Sequence, residues 1–178
     1  VKLRSFYTEM KSYAPDLLLT HFMGNMAYAE EHRTDGWTFT EGMCDICLIW
    51  YYPFETIDGQ PVFLEDQLTA AMKPNIDLII DRNLHARVWF LGQSFAAPGN
   101  YPRQLRMPTA AEMEALYLLV MEQPMHGFVW YPWNHTEVYG QVLSDPGLEE
   151  QQGMVKHIGD KYLNLSRLYT PVVTYGHD

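Results

Sequence analysis

The chain of 178 residues carries 22 acidic against 12 basic side chains, a formal net charge of −10, and 47% hydrophobic residues. A chain of this length and composition forms one domain with its own core. The acidic balance excludes a nucleic-acid partner, because phosphate binding needs a basic surface, and no apolar run reaches the roughly 20 residues that cross a membrane. Lys2 and Arg4 lie in an amphipathic stretch rather than in a signal peptide. Since the first residue is Val1, we expect a processed or cut N-terminus.

Helical and extended patterns alternate along the first half of the chain. One helical face collects Leu3, Phe6, Tyr7, Met10 and Tyr13, and Pro15 ends that pattern. A buried strand is predicted at 17–23, and a second strand at 45–52 ends before Pro53. The apolar positions of 64–80 predict a helix that is interrupted or kinked near Pro74.

The second half repeats this alternation. Residues 87–95 predict a third strand, and Thr109 with Glu112 forms a capping box for a helix that reaches Met121. A fourth strand is predicted at 127–133, and a last helix begins near Asp145. Apolar strands that alternate with amphipathic helices indicate a parallel sheet covered by helices, which is the α/β class.

Successive predicted strands lie roughly 30 to 40 residues apart, which suits βα units with long loops. Four such units are half of an eightfold barrel, which takes about 250 residues. The sequence therefore predicts a single α/β domain over 1–178 that is either a half barrel or a small open sheet. A half barrel has two unpaired edges, so it needs a second copy or a complementary barrel half.

The two cysteines, Cys44 and Cys47, form one C-x-x-C at the start of the second predicted strand. Zinc needs about four ligands, and no second such pair follows. A redox pair usually opens a helix rather than a strand. We therefore expect buried, inert thiols.

Aromatic and amide side chains gather at the predicted carboxyl ends of the four strands, where parallel α/β folds build their sites. An aromatic face suits the C–H face of a sugar ring, and amide groups suit its hydroxyls. The alternative for each aromatic residue is ordinary packing. The residues predicted to line a carbohydrate site are His21, Trp50, Tyr52, Gln93, Trp130 and Trp133.

Four segments resemble parts of the last units of glycoside-hydrolase-like (βα)8 barrels. Residues 88–95 are similar to the strand pattern "PVWxxxQxF", 106–112 to the helix start "R-x-P-T-x-x-E", and 127–131 to the last strand "G-x-x-x-Y". Residues 45–53 resemble the preceding strand, which often ends "D-x-Y-P". The resemblance covers roughly 40–140 and implies strands five to eight of a barrel, with the first half absent from this chain.

The departures from that pattern concern catalysis. The resemblance implies a nucleophile at the end of strand seven, and this chain has Gln93 there. Strand six of the family often has Asp at the position where this chain has Trp50. Strand four, which would carry the acid/base carboxylate, lies before residue 1, so matched positions do not assemble the two-carboxylate mechanism. Glu55 is the carboxylate directly beyond a strand end, and an apolar surround could make it a general acid; the alternative is a solvated loop residue.

Other chemistries fit the sequence less well. His21, His135 and Glu55 could ligate a metal, but a hydrogen-bonded polar lining is the favoured interpretation, so we expect no metal. No Gly-rich phosphate-binding loop follows a predicted strand, and we expect no cofactor. The sequence thus predicts carbohydrate binding or processing by a barrel fragment. The alternatives are a non-catalytic half-barrel scaffold that dimerises through its strand edges, and an open-sheet enzyme with an unrelated small substrate.

Overall fold

A computed structural model describes residues 2–22, 40–82, 85–97, 103–132 and 139–166. Its helices are α1 (Lys2–Tyr13), α2 (Glu65–Arg82), α3 (Ala110–Met121) and α4 (Glu149–Ser166). Its strands are β1 (Thr20–Phe22), β2 (Ile46–Trp50), β3 (Phe54–Ile57), β4 (Gln60–Phe63), β5 (Arg87–Gln93), β6 (Phe95–Ala96), β7 (Gly127–Tyr131) and β8 (Gln141–Val142). The α/β class is confirmed. None of the helices in these ranges has the length and apolar character that crossing a membrane requires.

The main sheet has four strands in the order β1-β2-β5-β7, and all three pairings are parallel. Each strand lies beside the next main-sheet strand along the chain, so the order never reverses. Helix α2 connects β2 to β5, and α3 connects β5 to β7. The parallel sheet of four strands that the alternation predicts is therefore confirmed.

One face of this sheet carries the main core, and we call it the helix face. Cys47 and Ile49 of β2 and Val88 and Phe90 of β5 point to it. They pack against side chains of α2 and α3, namely Leu68, Met72, Ile76, Ile79, Leu116 and Val120. Leu3 of α1 packs on the same core, and α4 packs against α3. The four described helices therefore share the helix face, and the opposite side of the sheet is its inner face.

A β-hairpin follows β2 where the sequence predicts no element. Strands β3 and β4 pair in antiparallel fashion, and their turn is Asp58 and Gly59, with φ of 52° and 75°. Two positive φ values match the tight hairpin turn that an Asp-Gly pair favours. The Asp-Gly pair was thus the available signal for this hairpin.

Three boundaries differ from the predicted ones. The first strand is only Thr20–Phe22, and Leu18 before it is 59% exposed rather than buried. Helix α2 runs through Pro74 without interruption. The carbonyl that Pro74 leaves without its helical partner belongs to Ala70, which is exposed and can bond to water. The fourth strand ends at Tyr131, and residue 133 lies outside the described ranges.

Cys44 and Cys47 form a disulfide, with their Cα atoms 5.8 Å apart. Both residues are buried, so the predicted burial is confirmed, and the prediction of free thiols is wrong. The backbone places the two Cα atoms within the range that a disulfide spans. The pair therefore closes the short turn that leads into β2.

Asp45, inside that turn, ties α1 and β1 to the sheet. Its carboxylate accepts hydrogen bonds from the Leu19 N–H at 2.8 Å and the Tyr7 hydroxyl at 2.7 Å, and Lys11 pairs with it at 2.8 Å. Burial acts to raise the pKa of Asp45, but these contacts outweigh it and lower that pKa below its usual value. Burial, together with the contact to Asp45, raises the pKa of Tyr7 to about 12.

Candidate functional site

Aromatic side chains from strands β1, β2 and β7, and from the segments that follow β2, β5 and β7, meet at the carboxyl edge of the sheet. The buried ring of Phe95 lies 4.9 Å from Tyr52, 6.3 Å from Tyr131 and 4.3 Å from Tyr139 between ring centres. Phe22 at the end of β1 lies 6.4 Å from Tyr131. We call this group the carboxyl-edge cluster, which comprises Phe22, Trp50, Tyr52, Phe95, Tyr131 and Tyr139. Parallel pairing produces it, because the carboxyl ends of the strands share one edge.

Two members of the cluster form a flat surface that faces solvent. The rings of Trp50 and Tyr52 are stacked, with centres 4.9 Å apart and planes 24° from parallel. Tyr52 is buried beneath, whereas Trp50 is 40% exposed. Part of the Trp50 indole is therefore open to solvent and accessible to a ligand. We call this pair the Trp–Tyr platform.

Gln93, at the end of β5, is fully buried. Its Oε1 accepts the Phe54 N–H at 3.1 Å. Its Nε2 donates to the carbonyls of Phe54 at 3.3 Å, Phe95 at 3.2 Å and Arg106 at 2.8 Å. Both polar atoms are engaged by backbone, so the geometry favours a structural role for Gln93 over the ligand-binding role that the sequence predicts.

His21 and Trp130 lie on the helix face, away from the platform. His21 is in register with Cys47, whose side chain belongs to the helix-face core. Burial lowers the pKa of His21, which favours its neutral form. The ring of Trp130 packs on that core, 4.6 Å from Phe128. Of the predicted lining residues, the structure brings together Trp50 and Tyr52, while Trp133 lies outside the described ranges.

Glu55, at the start of the hairpin, is buried and forms an ion pair with Arg103. The Arg103 guanidinium also donates to the Tyr52 carbonyl at 2.8 Å and lies 4.9 Å from the centre of the Tyr51 ring. Arg103 therefore places a partly exposed cation next to the Trp–Tyr platform. The ion pair places the Arg103 cation against the Glu55 carboxylate, whereas a general acid has to donate a proton.

Arg106 joins the hairpin to the start of α3. It forms two parallel hydrogen bonds with the Glu112 carboxylate, at 2.6 and 2.7 Å, and donates to the carbonyls of Glu55 and Val62. Glu112 also completes the predicted capping box with Thr109, which is confirmed. Burial acts to raise the pKa of Glu112, but Arg106 and Thr109 outweigh it and lower that pKa. The "R-x-P-T-x-x-E" pattern thus has a structural explanation in this chain.

Two residues of the site carried no sequence signal. Tyr139 reaches the cluster from the segment before β8, and Arg103 from a segment with no periodic pattern. Long-range contacts position both side chains, and local periodicity does not report such contacts. The aromatic ends of the strands were the signal that located the cluster itself.

No protein family model, curated protein or solved structure matches this chain. The resemblance to glycoside-hydrolase-like barrels therefore stays a prediction that rests on the four segments. Among the described residues, no three His, Cys, Asp or Glu side chains gather as the ligands of a metal ion would. The predicted group of His21, His135 and Glu55 includes a residue outside the described ranges.

Proposed function

We propose that this protein binds a carbohydrate on the Trp–Tyr platform and does not hydrolyse it. The observation that carries the proposal is the exposed indole of Trp50, stacked on buried Tyr52. A sugar ring presents an apolar C–H face that packs on such a surface. Arg103, next to Tyr52, supplies hydrogen-bond donors for the hydroxyl groups at the rim of the ring.

The state of the nearby carboxylates favours binding over hydrolysis. Glycoside hydrolysis uses two carboxyl groups, one of which donates a proton. Glu55 is paired with Arg103, and Glu112 is held by Arg106 and by the backbone at the start of α3. Both carboxylates are therefore paired with an arginine. The role of Glu55 as a general acid stays a prediction of the sequence.

The topology supports a half barrel as the scaffold of this site. An open doubly wound sheet has helices on both faces and a reversal of strand order. Here the order follows the chain, and the four described helices share the helix face. Both properties are those of a (βα)8 barrel. We therefore propose that β1, β2, β5 and β7 correspond to barrel strands five to eight.

A panel of hexasaccharides built from glucose, xylose, mannose and N-acetylglucosamine tests the proposal by calorimetry and thermal unfolding. We expect one class to bind and to raise the melting temperature with concentration. Trp50→Ala should weaken that binding about tenfold, because covering an indole face removes on the order of 50 Å² of apolar surface from water. The matched control is Leu118→Ala on α3, since Leu118 is 43% exposed and far along the chain from the platform.

Two results would contradict the proposal. In one, no saccharide binds, or Trp50→Ala binds as tightly as the wild type. In the other, incubation releases new reducing ends and Glu55→Gln abolishes the release. The second result would restore Glu55 as the general acid and replace binding with hydrolysis.

The open edges of the sheet favour a second candidate function, an assembly module that pairs with another barrel half. Within the described chain, β1 and β7 each have only one neighbouring strand. Leu17, Leu18 and Phe22, in and before β1, are all more than 40% exposed. Apolar exposure at an unpaired edge is typical of a surface that another chain covers.

Sedimentation over a wide concentration range separates this candidate from the first. The assembly module predicts a dimer that Phe22→Asp dissociates, and a melting temperature that saccharides leave unchanged. Leu118→Asp is the matched control, because it places the same charge on an exposed apolar position of α3. A monomer at all concentrations would contradict the assembly module.

A further inference from the structure

A cavity of about 410 Å³ lies on the helix side of β7, between that strand and helices α3 and α4. The strand contributes Phe128 and Trp130 to its wall, α3 contributes Tyr117, and α4 contributes Tyr162. We call it the aromatic cavity. The volume lies within the range of about 300 to 1,000 Å³ that small-molecule sites occupy.

Four rings form one continuous wall of the aromatic cavity. Successive ring centres lie 4.8 Å apart for Tyr162 and Tyr117, 5.4 Å for Tyr117 and Phe128, and 4.6 Å for Phe128 and Trp130. The remaining lining includes the aliphatic side chains Met121, Val155 and Ile158. Ring faces and edges at these distances offer stacking and edge contacts to a further flat ring.

Two glycines line this region. At Gly127 the Trp89 indole occupies the place of a side chain, because an added Cβ would come within 2.6 Å of that ring. Gly159 faces the aromatic cavity from α4, where a larger residue would enter it.

Polar groups stand at the rim of this apolar lining. His126 Nδ1 accepts the Val88 N–H at 3.1 Å, so the other ring nitrogen, Nε2, carries the proton and is a donor. Tyr117 contributes a hydroxyl, and burial together with the nearby Tyr162 raises the pKa of that hydroxyl. The aromatic cavity thus combines stacking walls with a small number of hydrogen-bond donors.

We propose that the aromatic cavity is a binding site for a planar aromatic small molecule that carries a hydrogen-bonding group at its edge. An apolar concave site with few convergent polar groups is the usual form of a small-molecule pocket. The proposal is independent of carbohydrate binding, because Trp130 and Phe128 lie on the helix face and the Trp–Tyr platform lies on the inner face at the carboxyl edge.

Equilibrium dialysis with 2-naphthol as the probe tests the proposal. Decahydro-2-naphthol, which has the same carbon skeleton without flat rings, is the matched ligand control. We expect 2-naphthol to bind one site with a dissociation constant of about 0.1 mM, and the saturated analogue to bind at least about fivefold more weakly. Trp50→Ala should leave this binding unchanged.

Two substitutions on α4 form a matched pair. Gly159→Leu places a side chain in the aromatic cavity, whereas Gly153→Leu makes the same change where an added Cβ meets nothing within 4 Å. We expect Gly159→Leu to weaken 2-naphthol binding at least about tenfold and Gly153→Leu to leave it unchanged. Val155→Trp fills the same space from the same helix and replaces Gly159→Leu if thermal unfolding shows that variant to be unfolded.

Three results would overturn the proposal: no saturable binding of 2-naphthol, equal binding of the saturated analogue, or wild-type affinity in the cavity-filling variants. Failure of the carbohydrate proposal gives a different pattern, because it appears as a loss or absence of saccharide binding with 2-naphthol binding intact. The two proposals therefore stand or fall separately.

Discussion

Replacing Gln93 by leucine tests whether this amide holds the carboxyl edge together. Its four hydrogen bonds connect the end of β5 to Phe54 in the hairpin, to Phe95 in the cluster and to Arg106 before α3. Leucine has nearly the same length and no polar atoms. Gln93→Leu therefore removes the connection without opening a large cavity.

The expected loss of stability follows from the groups that the substitution leaves behind. The buried Phe54 N–H loses its acceptor, and the carbonyls of Phe95 and Arg106 lose a donor. The Phe54 carbonyl keeps the Arg106 N–H at 3.1 Å as a donor. Each buried polar group without a partner costs about 1 to 3 kcal/mol, with the N–H at the upper end. Burial of the leucine side chain offsets part of this, roughly 1 to 2 kcal/mol. We expect a net loss of about 3 kcal/mol in the free energy of unfolding.

Urea unfolding monitored by circular dichroism measures this loss. With a slope of about 2 kcal/mol per M urea, the midpoint should fall by about 1.5 M. Gln104→Leu is the matched control, because Gln104 is exposed and the same change there should stay within about 0.5 kcal/mol. If Gln93→Leu has the same urea midpoint as Gln104→Leu, the structural role of Gln93 is refuted. If Gln93→Leu is as stable as the wild type but no longer binds saccharide, Gln93 belongs to the ligand site.

Three further outcomes follow from other contacts. Folding lowers the pKa of Glu112, so its contribution to the free energy of unfolding is present above pH 4.5 and is lost as the pH falls. In Glu112→Gln the free energy of unfolding should therefore vary less with pH in the acid range, and a pH profile equal to that of the wild type would refute this. Gly59→Ala, at a φ of 75°, should lower the free energy of unfolding by about 1 kcal/mol in a thermal melt, and a neutral effect would contradict the turn. The denatured protein should not react with a thiol reagent until a reductant cleaves the Cys44–Cys47 disulfide. Reaction of either cysteine before reduction would disprove the bond.

Local patterns predicted the elements of the main sheet and its helices well. Apolar runs located β2, β5 and β7, and the Thr109–Glu112 capping box located α3 to the residue. The β3–β4 hairpin was missed because its strands are short and lie between a proline and a helical pattern, where only the Asp-Gly turn marks it. Tertiary packing, rather than the β propensity of the residues, decides how many residues of such a short segment form strand pairs.

The candidate site could be predicted by location but not by side-chain direction. Neighbours in a strand point to opposite faces, so Trp130 and Tyr131 cannot both face the inner side. In strands that are apolar on both faces the period-two signal disappears, and the sequence does not tell which set faces which side. Pairing register resolves this: Gly92 lies opposite Trp130, and Gln93 lies opposite Tyr131. Contacts over long sequence distances, such as Glu55 with Arg103, have no local signature at all.

The positions of β1 and β7 at opposite edges have a consequence for polymerisation. A copy that joins its β7 to the β1 of a neighbour still has its own β1 free, so the contact is head-to-tail and repeats. Sheet curvature then determines whether two copies close a ring or whether many copies extend into a ribbon. The net charge of −10 repels successive copies, and dissolved salt screens that repulsion. High ionic strength should therefore favour pairing of the proposed assembly module through these two edges.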